Sequence, residues 1–246
     1  MRSLKKRHEA SSAKQAVPPE SLSAKLVLGG IELQPDLTGA LYVSDYRTLL
    51  VADLHMEKGS SFAKAGLHIP PYDTRSTLAL LEKVVARLKP QRLVALGDSF
   101  HDRAAGERID ADDLQRIRAL CDAVDVCWLT GNHDPELPEG LGGRIAAEVS
   151  LGPLTLRHLP KSSLGAEIEV AGHLHPVASI SRRGRRVTSR SFVAGCQRLI
   201  MPAFGSYTGG LNVSAPEISS LFAGGHFTAW MIGRSAIYSF SSSVLD

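Results

Sequence analysis

The chain has 246 residues, 43% of them hydrophobic, and a formal net charge of +3. That is enough apolar material for one large domain or two small ones, and no apolar run reaches the eighteen or so residues a membrane span needs. The charge is too small to name a polyanion as partner, and Cys121, Cys127 and Cys196 lack the spacing of a thiolate metal site.

The N-terminus lacks the apolar core of a secretory signal. Three cysteines that cannot all pair fit a reducing compartment. The expectation is a cytoplasmic protein with no membrane association. Residues 1–22 are polar and basic, with Lys5, Lys6, Arg7 and His8 among them. They read as a disordered basic tail, either an inert extension or an arm touching phosphates. Residues 23–246 read as a single domain.

Short strands are expected from Lys25 to Leu33 and from Ala40 to Val43, with a turn at Asp45-Tyr46-Arg47. The run 48–52 is apolar and reads as a buried strand. It ends at Asp53-Leu54-His55, where open α/β sheets place their ligands. Alone, that pair reads more readily as a surface Asp and a capping His than as metal ligands. Met56 to Phe62 is polar and reads as a loop near the site. Asp73 or Thr74 caps a helix running to Leu88, with Leu78, Leu81, Val84 and Leu88 on its apolar face. Leu93 to Leu96 is a second buried strand and ends at Gly97-Asp98. A helix from Asp110 to Cys121 and a strand from Val124 to Leu129 follow. That strand ends at Thr130-Gly131-Asn132-His133-Asp134. A βαβ succession brings such strand ends to one rim of a sheet.

Beyond Pro138 the alternation and frequent glycines favour β structure. Leu154 to Arg157 leads to His158, and Ile168 to Ala171 leads to Gly172-His173-Leu174-His175. Short strands are expected at 177–180, 186–193, 197–202, 219–223 and 235–240. The architecture this implies is two β-sheets packed together with helices outside.

The strand-end groups are Asp53, His55, Asp98, Asn132, His133, His158, His173 and His175. Imidazole and carboxylate without thiolate suit Mn²⁺, Fe, Zn²⁺ or Co²⁺ in a catalytic site. Two neighbouring cations need a shared ligand, and a carboxylate such as Asp98 can bridge where a neutral imidazole cannot.

These blocks, Asp53-Leu54-His55, Gly97-Asp98, Gly131-Asn132-His133-Asp134, His158 and Gly172-His173-Leu174-His175, resemble those of the calcineurin-like metallophosphoesterases. All five stand in order and intact. The resemblance implies a four-layer α/β/β/α sandwich of two mixed sheets flanked by helices. It implies one divalent cation on Asp53, His55, Asp98 and His175, and a second on Asp98, Asn132, His158 and His173. His133 would lie over the scissile phosphate and protonate the leaving oxygen, and Asp134 would orient its ring. Attack would come from metal-bound hydroxide.

The segments Ala52 to Ala63, Leu96 to Asp102, Gly172 to Pro176 and Leu199 to Gly210 resemble one bacterial subgroup more closely, the ligase-associated DNA damage response endonucleases (the PdeM subgroup). That likeness implies a manganese-dependent endonuclease on single-stranded DNA, in DNA repair, linked with a DNA ligase and a repair helicase. The rival readings are the same chemistry on small nucleotides or other small phosphoesters, and a non-catalytic repair-complex scaffold.

Further residues read two ways. Lys58 pairs with substrate phosphate, and Phe62 stacks on a base or anchors a loop. His101 and Asp102 line the rim or merely cap the chain. Arg182, Arg183, Arg185 and Arg186 form a basic hairpin turn. If it flanks the rim it contacts DNA phosphates, and otherwise it is solvated. Gly205, Gly209 and Gly210 permit a tight turn and match no nucleotide loop. His68 and His226 read as structural.

Overall fold

The computed structural model describes residues 25–67 and 69–246. The basic tail expected over 1–22, His8 and His68 lie outside them. The three central strands, β4 (Thr48–Val51), β5 (Arg92–Ala95) and β6 (Asp125–Leu129), follow β1 (Leu26–Leu28), β2 (Ile31–Pro35) and β3 (Leu41–Val43). They are apolar at nearly every position because both faces are covered. Leu49, Val51, Leu93, Ala95, Val126 and Trp128 point one way, into a core shared with helices. Leu50, Val94, Leu96, Cys127 and Leu129 point the other way, into a core shared with the second sheet. The period of two in side-chain direction produces both cores from one run of sequence.

With β7 (Arg144–Ala146) these strands form one seven-stranded sheet in sequence order. β1 to β4 pair antiparallel, and β4 to β7 pair parallel. Between β4 and β5 come α1 (Lys58–Lys64) and α2 (Asp73–Leu88); α3 (Ala111–Ala123) joins β5 to β6. Asp110 caps α3 by accepting a hydrogen bond from the Asp112 N–H at 2.9 Å. Parallel connection sets Asp53, Asp98 and Asn132 at the same end of adjacent strands.

The second sheet contains β8 (Glu148–Leu151), β9 (Leu154–Arg157), β10 (Ile168–Ala171), β11 (Pro176–Arg182), β12 (Arg185–Ala194), β13 (Arg198–Ile200), β14 (Leu211–Asn212), β15 (Thr228–Ile232) and β16 (Ile237–Ser241). Its main path runs β14-β11-β12-β13-β10-β9-β8, with β15 on β12 and β16 on β15. β9, β10 and β13 are parallel neighbours, so His158 and His173 emerge from the same end. Within this sheet Glu169 is fully buried between two arginines, Arg198 Nε at 2.6 Å and Arg157 at 2.7 Å.

The expected four layers are present, but the outermost is thin. The outer face of the second sheet, with Ala171, Val193 and Ile200, is covered by Ile218, Phe222 and Phe227. They come from the four-residue α4 (Pro216–Ser219) and the turns after it. The strand expected over 219–223 is therefore absent. Pro216 at the first helical position favours helix, and the strand lies later, at β15. Cys121, Cys127 and Cys196 are free thiols. Among the described residues, no helix is long and apolar enough to cross a membrane.

Candidate metal centre

The facing ends of the two sheets carry the seven expected ligands. Their backbone is unusual: Asp53 (φ 54°), His55 (φ 43°), Asp98 (φ 47°), His173 (φ 71°) and His175 (φ 45°) all occupy the left-handed region. For residues other than glycine each such conformation costs of order 1–3 kcal/mol, and it clusters where function demands it. It bends the chain sharply at each end of a dipeptide step. Asp53 and His55 both reach the site, while Leu54 between them is buried in the apolar core.

Close approach demands glycine at two points. A Cβ on Gly131 would lie 2.1 Å from Asp98 Oδ1 and 2.3 Å from the Asp98 backbone nitrogen. A Cβ on Gly205 would lie 2.1 Å from the Leu54 carbonyl oxygen. The segment around Gly205 runs directly under the first ligand pair, with the Phe204 N–H on the Ala52 carbonyl at 2.8 Å. Gly205 thus serves close packing under that pair and opens the turn at 206–207, whose Thr208 hydroxyl donates to its carbonyl at 3.0 Å.

The ligand atoms fall into two groups. In the first, His55 Nε2 stands 3.2 Å from His175 Nε2, and His175 Nε2 is 3.3 Å from Asp53 Oδ1. In the second, His158 Nε2 stands 2.9 Å from Asn132 Oδ1, 3.2 Å from His173 Nδ1 and 3.3 Å from Asp98 Oδ1. The other oxygen of Asp98 faces the first group, 3.9 Å from His55 Nε2. Ligands about 2.1 Å from a common cation stand roughly 3.0–3.4 Å apart at angles near 90–110°. Most of these spacings agree. Asp98 alone gives one oxygen to each group.

Protonation tests whether a cation fits. His158 Nδ1 lies 2.9 Å from the Leu96 carbonyl, so it carries the proton there. A neutral His158 then turns its Nε2 lone pair toward two oxygens and a ring nitrogen at once. A cation among them relieves that repulsion. Without metal a proton substitutes: burial opposes it, but Asp98 and Asp53 outweigh burial and raise the His158 pKa. One proton cannot satisfy three neighbours. In the first group burial pushes His55 down to about 3, and charge on His175 acts the same way. Asp98 is pulled down to about 2, because the His158 bond overcomes its burial. A carboxylate facing imidazole nitrogens in each group fits a divalent cation there.

His133 stands outside both groups. Its N–H donates to Asp98 Oδ1 at 2.9 Å, its ring stacks on His101 at 5.5 Å, and 42% of its side chain is exposed. Its Nδ1 lies 2.9 Å from the His101 carbonyl, so Nδ1–H donates there and Nε2 is left facing the site. The expectation that Asp134 orients this ring is not met. Asp134 is fully buried, and its carboxylate accepts the backbone N–H groups of Asp98, Phe100 and Gly131 at 3.0–3.1 Å. It braces the two loops; burial first, then the Asp98 charge, raises its pKa to about 6. The His101 carbonyl holds the His133 ring in its place.

The loop expected over Met56 to Phe62 is largely helix α1. Its first N–H groups need acceptors, and a distant residue supplies them: Asp73 Oδ2 takes Lys58 N–H at 2.8 Å and Gly59 N–H at 3.1 Å. Asp73 and Thr74 are therefore used here rather than as the cap of α2, whose preceding residue is Tyr72. α1 places the Lys58 ammonium 5.7 Å from the Phe62 ring, and Phe62 meets His101 edge-on at 5.5 Å. Lys58, Phe62 and His101 thus gather at the rim.

Arg182, Arg183, Arg185 and Arg186 do not. They occupy the tip of the β11–β12 hairpin, where Arg183 and Gly184 make the turn. Seven residues of strand separate that tip from His175, about 23 Å along the chain. Among the site residues the sequence reading missed are Lys64, Arg103 and Arg108, which line a cleft beside Asn132 and His133. Nothing in their local pattern marks them.

A family model for calcineurin-like phosphoesterase matches residues 46–164, a span holding Asp53, His55, Asp98, Asn132, His133 and His158. The structure of Pseudomonas putida nuclease MPE is similar at 28% identity with a TM-score of 0.67, covering 88% of this chain and 98% of that one. YfcE, a phosphoesterase from E. coli, is 18% identical with a TM-score of 0.39, over 77% of this chain and 95% of its own. No curated protein matches the chain. The matched span, with two ligand groups meeting at Asp98, marks a metal-dependent phosphoesterase similar to the calcineurin-like phosphoesterases.

Proposed function

We propose that this metal-dependent phosphoesterase is an endonuclease for single-stranded DNA in DNA repair, with manganese as its preferred metal. One observation carries the reading. Two ligand groups share the Asp98 carboxylate, and the exposed His133 faces outward beside them. Asp53, His55, Asp98 and His175 would hold one cation; Asp98, Asn132, His158 and His173 the other. Such a pair supplies phosphoryl polarisation and a nucleophile at neutral pH. In its imidazolium form His133, with Nδ1–H fixed on the His101 carbonyl, gives its Nε2 proton to the leaving oxygen and is left as the neutral ring. Lys58 adds positive charge near the scissile phosphate.

DNA is favoured over a small ester because the site opens into a cleft of about 650 Å³ rather than closing over a small pocket. The likeness to a nuclease over nearly the whole described chain supports the same choice. The link to a DNA ligase and a repair helicase belongs to this proposal through the subgroup resemblance. The test is incubation of closed circular single-stranded DNA with the protein and Mn²⁺, Fe²⁺, Zn²⁺ or Co²⁺ in turn. Linear and then shorter products, greatest with Mn²⁺, are expected. Intact circles beside rapid hydrolysis of a small phosphomonoester would overturn the reading.

A further inference from the structure

The cleft beside Asn132 and His133 runs between the end of α1 and the loop 101–108. Its inner end is the metal centre, so a phosphate held there has the cleft as its continuation. Three cations and one carboxylate line it. Arg108 is already committed: its guanidinium forks on Asp102 at 2.8 and 2.9 Å, and its Nε donates to Ser60 Oγ at 3.1 Å. That fork neutralises the one acid of the cleft. Lys64 and Arg103 are exposed, and neither forms an ion pair among the described residues. A wall with two uncommitted cations and a neutralised acid attracts an anion. A monoester or simple diester at the metals would leave it empty.

We infer that this cleft seats the nucleotide next to the cut and that Lys64 and Arg103 bind its outer phosphate. The inference rests on the DNA reading above and adds what that reading lacks, a reason why the substrate must be a polynucleotide. A space of this size buries a molecule of several hundred daltons. Lysine and arginine bind phosphate as point charge and fork respectively, without reading base identity. Lys64 also stands in the last turn of α1, where a cation favours the helix. Binding, not stability, therefore has to be measured.

The experiment compares kcat/KM for decathymidylate with kcat/KM for bis(p-nitrophenyl) phosphate, which has a single phosphate. The ratio is expected to fall about tenfold or more in Lys64→Ala/Arg103→Ala, mainly through KM for the oligonucleotide. Lys64→Arg/Arg103→Lys is expected to keep most of it. In a His133→Ala background that leaves the strand intact, anisotropy of labelled decathymidylate should show the salt slope reduced by about 0.7. An unchanged ratio and salt slope would overturn the inference while leaving the DNA reading standing. Failure of the native protein to cut decathymidylate while hydrolysing the diester would instead sink the DNA reading.

Discussion

The two halves of the metal centre are built differently. In the half of Asp98, Asn132, His158 and His173, the His158 ring is fixed from behind by the Leu96 carbonyl at 2.9 Å. In the half of Asp53, His55 and His175, the Nδ1 of His55 is buried with no partner. A ligand oriented by a partner behind it binds more tightly, and losing that partner typically costs about 10–100-fold in affinity. The second half is thus organised before metal arrives, and the first is organised by the metal. The second half should fill first when Mn²⁺ is added.

The largest effect should come from removing what the halves share. Asp98→Ala takes one oxygen from each group, so both cations should be lost. Phosphodiester turnover should fall by more than the roughly 10²–10⁴-fold usual for loss of a general acid. Metal content by plasma emission spectrometry checks the first point; retention of two ions per chain would contradict a shared ligand. His133→Ala removes no assigned ligand from either half, though its ring packs edge-on against His55 at 5.1 Å. It should keep both ions and lose about 10²–10⁴-fold in turnover. Near-native kcat would remove His133 from its role.

Separating the halves comes next. Asp53→Ala removes a ligand from the first half and the acceptor of the His173 N–H, at 3.0–3.1 Å, from the second; it should yield one ion, held by Asp98, Asn132, His158 and His173. Isothermal titration showing two equal sites, or none, would count against the division. A smaller effect is expected from Gly131→Ala. Its new Cβ meets the Asp98 backbone nitrogen, an atom that cannot swing aside. Overpacking of this kind costs about 1–3 kcal/mol, readable in urea unfolding. Wild-type stability would show that the loop yields freely.

The ligands were legible in the sequence because each ends a strand, and parallel pairing of β4, β5 and β6 does the rest. Asp53, Asp98 and Asn132 had to meet once those strands were adjacent. The left-handed backbone at five ligands was not legible, since Asp and His carry no sign of a positive φ. Nor was α1, because its N–H groups are satisfied by Asp73, fifteen residues on from Lys58. The arginine run could not be placed from sequence for a related reason. Sequence proximity to His175 says nothing about direction, and β11 carries Arg182 away from the rim. Lys64 and Arg103 face one cleft although they stand 39 positions apart in sequence, a meeting only tertiary structure makes.

Proton competition offers the finest test of the two halves. Metal must displace whatever proton its ligands carry. In the second half Asp98 and Asp53 overcome burial and raise the His158 pKa above its ordinary value of 6.5, so below that raised value the metal-free ring is protonated. In the first half His55 is pushed down to about 3, chiefly by burial, so it is neutral at pH 6 and pH 8 alike. Lowering pH from 8 to 6 should therefore weaken the second half by up to about tenfold per unit below the His158 pKa. His175→Ala isolates the second half and Asn132→Ala the first. Manganese titrations of both at pH 8 and 6 should show the larger loss in His175→Ala. The half that leads at pH 8 gives up its advantage in acid, since the bond that holds His158 in place also helps it hold a proton. Equal losses in both variants would mean that ring orientation and proton affinity are not linked in this way.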